Sequence, residues 1–121
     1  MADKALIIVA HGSRKSSSNE EVETLGEKVR ALKHKEYAFV MTSFLEFAAP
    51  SLEESILLCI KKGISEIVIL PYFLASGHHV THDIPEVINT IRIAHPQIEI
   101  ILKSHLGSSP GMAGLLCDMT E

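Results

Sequence analysis

Residues 6–14, Leu6-Ile7-Ile8-Val9-Ala10-His11-Gly12-Ser13-Arg14, run a short apolar strand straight into a histidine and a Gly-Ser turn. A second stretch repeats the pattern: Ile67-Val68-Ile69-Leu70-Pro71 leads to Gly77-His78-His79-Val80-Thr81-His82-Asp83-Ile84-Pro85. Strands buried on both faces of a parallel sheet read as continuous apolar runs rather than alternating ones. Ligands of open α/β sheets gather outside the carboxyl ends of such strands. Both histidine groups are therefore expected on one rim of one sheet, as parts of a metal or proton-transfer site built from separate loops.

Outward from these two runs, strand and helix alternate four times. The first strand covers 5–10. A helix is predicted over 18–33, with Ser18 and Glu21 as a capping-box pair and Val22, Leu25, Val29 and Leu32 keeping a helical period. The second strand is placed at 37–43. The next helix opens at Pro50-Ser51, presents Leu52, Ile56, Cys59 and Ile60 on one side, and closes at Lys61-Lys62-Gly63. A third strand at 66–71 precedes a helix that starts near Asp83-Ile84-Pro85 and carries Val87, Ile88 and Ile91. The fourth strand is 98–102. Residues 110–119 read as a short last helix weakened by Gly111 and Gly114. Successive βα units imply a parallel sheet with right-handed crossovers. The two most apolar strands belong in its middle, which gives the order 2-1-3-4.

A chain of 121 residues is long enough for one core and too short for two, so residues 1–121 are expected to form one domain. The 46% apolar, 21% charged and 5% aromatic content is that of an ordinary soluble α/β protein. A net charge of −4 and a pI near 6.0 argue against a nucleic-acid partner. Lys33-His34-Lys35 and Lys61-Lys62 read as helix-end charges. No apolar run approaches a membrane span or fits a signal peptide. Cys59 and Cys117 form no C-x-x-C pair, and Cys59 falls on the apolar side of its helix, so a buried thiol in a reducing cytoplasm is expected.

His11 ends a central strand, where the crevice opens, and Gly12 lets the backbone turn its N–H groups toward a ligand. A capping or packing role is the plainer alternative. Ser13 and Arg14 could grip a carboxylate or phosphate, or form a solvated loop. Three histidines within residues 78–82 can supply neutral imidazoles to a divalent transition ion. His78 and His82 share a face if the helix begins early, whereas His79, placed in the preceding loop, could reach toward His11. The alternative is decoration of a helix N-terminus. Asp83 is read as that helix's cap. Glu46, between Leu45 and Phe47, is read as a carboxylate in apolar surroundings and so a proton acceptor or metal partner; an exposed loop glutamate is the other reading.

At these residues the chain resembles the small form of the sirohydrochlorin chelatases. The resemblance rests on Val9-Ala10-His11-Gly12-Ser13-Arg14, Phe44-Leu45-Glu46, Ala49-Pro50-Ser51-Leu52, Leu70-Pro71-Tyr72-Phe73-Leu74 and Gly77-x-His79-x-x-x-Asp83-Ile84-Pro85, in the family's order across about residues 5–106. It implies a flavodoxin-like three-layer sandwich and ATP-independent insertion of a divalent metal into sirohydrochlorin. Cobalt is the first choice, with nickel and ferrous iron as the other ions. It implies no permanently bound cofactor, and a homodimer, because larger relatives join two such halves in one chain. His11 and His79 carry over as metal-holding catalytic residues with Glu46 as the third, and Gly12, Ser13 and Arg14 as anchors for substrate carboxylates. His78 and His82 add imidazoles that the family pattern does not require. Two other classes stand beside this one. A phosphohistidine phosphatase or mutase places arginine directly before its histidine, whereas Ala10 stands there in this chain. A cytoplasmic metal carrier would use His78, His79 and His82 without any macrocycle.

Overall fold

The computed structural model describes residues 3–121. Strand β1 (Lys4–Ala10) lies between β2 (Phe39–Phe44) and β3 (Glu66–Pro71), with β4 (Glu99–Leu102) outside β3. All pairings are parallel and the order is 2-1-3-4, as expected from the apolar runs. At the carboxyl edge Ala10 lies level with Phe44, and Val9 with Pro71. The loops after the first three strands therefore leave from one rim.

Helix α1 (Ser16–Lys33) covers one face of the sheet, and α2 (Leu52–Lys61) and α3 (Ile84–Ala94) cover the other. Alternation along β1 sends Ala5, Ile7 and Val9 toward Ile56, Cys59, Ile88 and Ile91. Leu6 and Ile8 point instead to the side of Val29, Tyr37 and Val40. This is the three-layer sandwich. Short α4 (Met112–Asp118) follows with no buried residue. Among the described residues no helix is long and apolar enough to cross a membrane.

Helix α2 forms as its sequence dictates. Ser51 accepts from the Glu54 N–H while the Glu54 side chain accepts from the Ser51 N–H, a complete capping box. Leu52, Ile56 and Cys59 are buried, and Ile60 packs partly against them. Helix α1 departs from expectation. It begins two residues before Ser18, so the Ser18–Glu21 box is not formed. Its start is held instead by Asn19, whose amide accepts from the Ser13 N–H at 2.9 Å and donates to the Ser13 carbonyl at 2.8 Å. Of its predicted apolar face, Val29 packs on the sheet, whereas Leu32 is 84% exposed and Leu25 also faces solvent. The buried contact is Gly26, where a Cβ would stand 2.5 Å from Thr42 Cγ2. The helix meets β2 at backbone distance, which lifts its flanking leucines off the sheet. Strand β2 starts two residues later than predicted because the Tyr37 N–H still bonds the Lys33 carbonyl of α1.

Candidate functional site

His11 is the first residue beyond β1. Its Nδ1–H donates to the Gly12 carbonyl at 2.9 Å. A carbonyl only accepts, so Nδ1 carries the proton and Nε2 faces outward with its lone pair. Gly12 has φ 94°, and a Cβ there would run into the Glu46 carbonyl oxygen. The turn is thus pressed directly against the loop that carries Glu46. Backbone bonds join the same two segments: Leu45 N–H to Ala10 O at 3.0 Å and Glu46 N–H to His11 O at 2.9 Å. Held this way, Glu46 Oε2 lies 2.9 Å from His11 Nε2.

The apolar enclosure expected for Glu46 is absent. Its side chain is 50% exposed, because Phe47 adopts φ 65° and turns its ring outward. That ring stands edge-on to His11 at 6.0 Å between centroids and lies under the Arg14 guanidinium at 4.8 Å. Such a backbone conformation is uncommon for an aromatic residue, and periodicity gave no sign of it. Ser13 spends its groups inside the turn, with its hydroxyl accepting from the Lys15 N–H at 3.0 Å and its backbone bound by Asn19.

His79 arrives from the second strand-to-histidine unit. A π-type turn over His79–Asp83 runs directly into α3, so winding begins before Asp83 rather than at it. His79 Nδ1–H donates to Asp83 Oδ2 at 2.6 Å, which leaves Nε2 with the free lone pair of the ring. The His11 and His79 rings are 4.7 Å apart. His79 therefore reaches His11 as expected, though from a helical turn and not from a loop. Asp83 is helical at φ −65° and caps nothing. It is the carboxylate behind a histidine, fixing tautomer and ring orientation as carboxylates do behind metal-binding imidazoles. Hydrogen bonds from His82 and then from His79 hold its carboxyl below the usual carboxylate range, against the opposing effect of burial. The sequence signal for this pair is the four-residue His-x-x-x-Asp spacing, one helical turn, while Asp83 directly before Ile84-Pro85 fits a helix cap equally well.

His11, Glu46 and His79 bring one donor atom each within 4.8 Å of one another. Facing lone pairs on Nε2 and Oε2 need a cation between them, either a proton or a metal ion. Three protein donors leave coordination positions open for exchange. A shallow depression of about 270 Å³, lined by Leu45, Glu46, His79, Asp83, Glu86 and Val87, adjoins them. His34, His95 and His105 join neither donor cluster among the described residues.

Fold and rim together define a class: an open parallel α/β domain whose carboxyl-edge loops gather two imidazoles and a carboxylate at one point. The CbiX family model matches residues 5–121, and the chain belongs to that family. It is 35% identical over 92 residues to the sirohydrochlorin cobaltochelatase of Methanocaldococcus jannaschii, covering 76% of this chain and 63% of that protein. It is 29% identical over 114 residues to the sirohydrochlorin ferrochelatase of Priestia megaterium, covering 94% and 42% respectively. Among solved structures it superposes on the sirohydrochlorin chelatase SirB from Bacillus subtilis subspecies spizizenii in complex with cobalt. The TM-score is 0.84 at 29% identity, over 99% of this chain and 50% of SirB. The chain thus spans less than two thirds of the length of these relatives.

Proposed function

We propose that this chain inserts a divalent metal ion into sirohydrochlorin without ATP, with cobalt as the ion. The observation that carries the reading is the His11–Glu46–His79 constellation, in which two imidazoles and a carboxylate bring one donor atom each within 4.8 Å of one another on a partly exposed rim. The family's named members support the macrocycle, and the cobaltochelatase of M. jannaschii supports the ion.

The chemistry follows from charge. A free tetrapyrrole gives up two N–H protons when it takes a divalent ion. In our reading His11 Nε2, Glu46 and His79 Nε2 hold the ion as its water is shed, and the same bases are left vacant as it moves into the ring. Two protons then enter where one dication left, so the site keeps the charge it had with the ion bound and releases the protons to solvent, without a high-energy cofactor. Gly12 and Arg14 stand at the same rim to meet substrate carboxylates; Ser13, bonded within its turn, shapes that rim.

A depression of about 270 Å³ is smaller than the pockets that bury drug-sized ligands, roughly 300–1,000 Å³. One copy offers a single wall of a macrocycle cleft. Together with the half-length match to SirB, this supports a homodimer closing over the rim, in a reducing cytoplasm suited to free Cys59 and Cys117.

The test is anaerobic absorbance spectroscopy with sirohydrochlorin and Co²⁺, Ni²⁺ or Fe²⁺ in turn, against no-enzyme controls, with light scattering for the mass in solution. Accelerated loss of the free-macrocycle spectrum, fastest with Co²⁺, is expected. Folded protein that accelerates none of the three overturns the chelatase reading. A faster rate with Fe²⁺ or Ni²⁺ overturns only the choice of metal.

A further inference from the structure

Outside the His11 centre, a second group of donors occupies the outer side of the π-type turn. His78 immediately precedes the turn and is itself helical, at φ −57° and ψ −37°. The wider winding brings His82 alongside it, with rings stacked at 4.6 Å and 18°. Asp83 Oδ1 lies 3.5 Å from His78 Nε2 and 3.2 Å from His82 Nδ1. One turn further on, Glu86 Oε2 stands 3.4 Å from His82 Nε2. His78, His82 and Asp83 each offer a donor atom within 4.8 Å of the others.

We propose that His78, His82 and Asp83 form a second divalent-cation site, separated from the His79 centre by the width of one carboxylate. Two imidazoles and a carboxylate select a borderline transition ion such as Co²⁺, Ni²⁺ or Zn²⁺ over Mg²⁺ or Ca²⁺, which take oxygen donors. Ligand nitrogens on one tetrahedral ion lie about 3.3 Å apart, given metal–nitrogen bonds of roughly 2.0–2.1 Å. Both imidazoles are exposed, 73% and 56% accessible, and so are free to rotate toward that spacing. All three ligands come from one hydrogen-bonded turn, in which the Val80 and Thr81 N–H groups both bond the Gly77 carbonyl. Little chain ordering is therefore required on binding.

Asp83 joins the two sites. Its Oδ1 faces the outer histidines and its Oδ2 holds His79 Nδ1. An ion taken from solvent at the outer pair is thereby stationed beside the imidazole that serves the inner site. The outer site stands whether or not the chain inserts metal into a macrocycle, since its evidence is a donor set and not a reaction.

Co²⁺ binding to the full chain, followed by calorimetry and by visible d–d absorption, tests the assignment. Wild type should bind two ions per chain. The double variant His78→Ala/His82→Ala should bind one, with unchanged far-ultraviolet circular dichroism and with the inner site's affinity kept. The double variant His11→Ala/His79→Ala should keep one ion, and a tenfold excess of Mg²⁺ should displace none from it. Wild type that binds a single ion, or a His78→Ala/His82→Ala protein that still binds two with wild-type affinities, overturns the proposal. Insertion activity enters neither outcome, so failure here is separable from failure of the chelatase reading.

Discussion

His11 Nε2 and Glu46 Oε2 face each other at 2.9 Å, while His11 Nδ1–H is committed to the Gly12 carbonyl. With Nδ1 committed, the close approach of Nε2 and Oε2 requires a proton or another cation between the two atoms. Replacing Glu46 with Gln removes the charge and keeps the shape. The amide can turn its NH₂ toward Nε2 and occupy that lone pair as a donor. Co²⁺ affinity should then fall at least tenfold, and the insertion rate by about 10²-fold or more, the range for loss of a positioned base. Calorimetry and the absorbance assay read the two effects. Undiminished affinity in Glu46→Gln would show that this carboxylate holds no ion.

Asp83→Asn addresses the residue behind His79. The hydrogen bond at 2.6 Å fixes which nitrogen of His79 carries the proton. An amide preserves size but not charge, and it can donate as readily as accept, so the fixed tautomer is lost. Partners of this kind are worth about 10–100-fold in metal affinity or activity. A drop in that range is expected, with a shifted pH–rate profile that a merely structural role would not produce. The His79→Ala variant should be more severely impaired while staying folded, because His79 is not among the buried core residues. Equal rates for Asp83→Asn and wild type across pH would remove Asp83 from the site.

Legibility in the sequence varied with the range of the interaction. The uninterrupted runs at 6–10 and 67–71 identify the central strands, since only a strand covered on both faces has no polar side. From them follow the order 2-1-3-4 and the shared rim. His11, Glu46 and His79 were readable as candidates because each follows a strand or opens a helix at that rim. The role of Asp83 and the outward turn of Phe47 are not legible in the sequence. One is decided by how a turn winds into α3, and the other by a backbone angle that no composition encodes. The leucines of α1 were misplaced for a similar reason. Hydrophobic period counts side chains, whereas α1 is seated by the lack of one at Gly26.

The two cysteines should behave oppositely. Cys59 is fully buried beside Met41, and burial pushes its thiol up to about 11, whereas Cys117 is exposed. At pH 8 an aromatic disulfide reagent should therefore label one thiol quickly and the other only on unfolding. The raised value means that the folded state keeps its proton more tightly than the unfolded chain. The resulting stability is present below the ordinary thiol value near 9 and is lost as pH rises toward 11. The stability difference between wild type and Cys59→Ala should shrink by about 1–2 kcal/mol between pH 8.5 and 10.5. A difference that stays constant with pH would contradict the burial argument.

Gly12 and Gly63 offer a matched pair for asking what the tight turn after β1 does. Both have positive φ, at 94° and 86°. A methyl group at Gly63 would meet nothing within 4 Å, whereas one at Gly12 would collide with the Glu46 carbonyl oxygen. Each alanine substitution carries the cost of the left-handed backbone, about 1–2 kcal/mol, and denaturant titration should show at least that loss in both. Only Gly12→Ala must also push the Glu46 loop away from His11. Its Co²⁺ affinity should fall although no donor atom has been removed, while Gly63→Ala should bind Co²⁺ like wild type. If Gly12→Ala is destabilised yet binds as tightly as Gly63→Ala, the 2.9 Å approach of His11 and Glu46 is not what captures the ion.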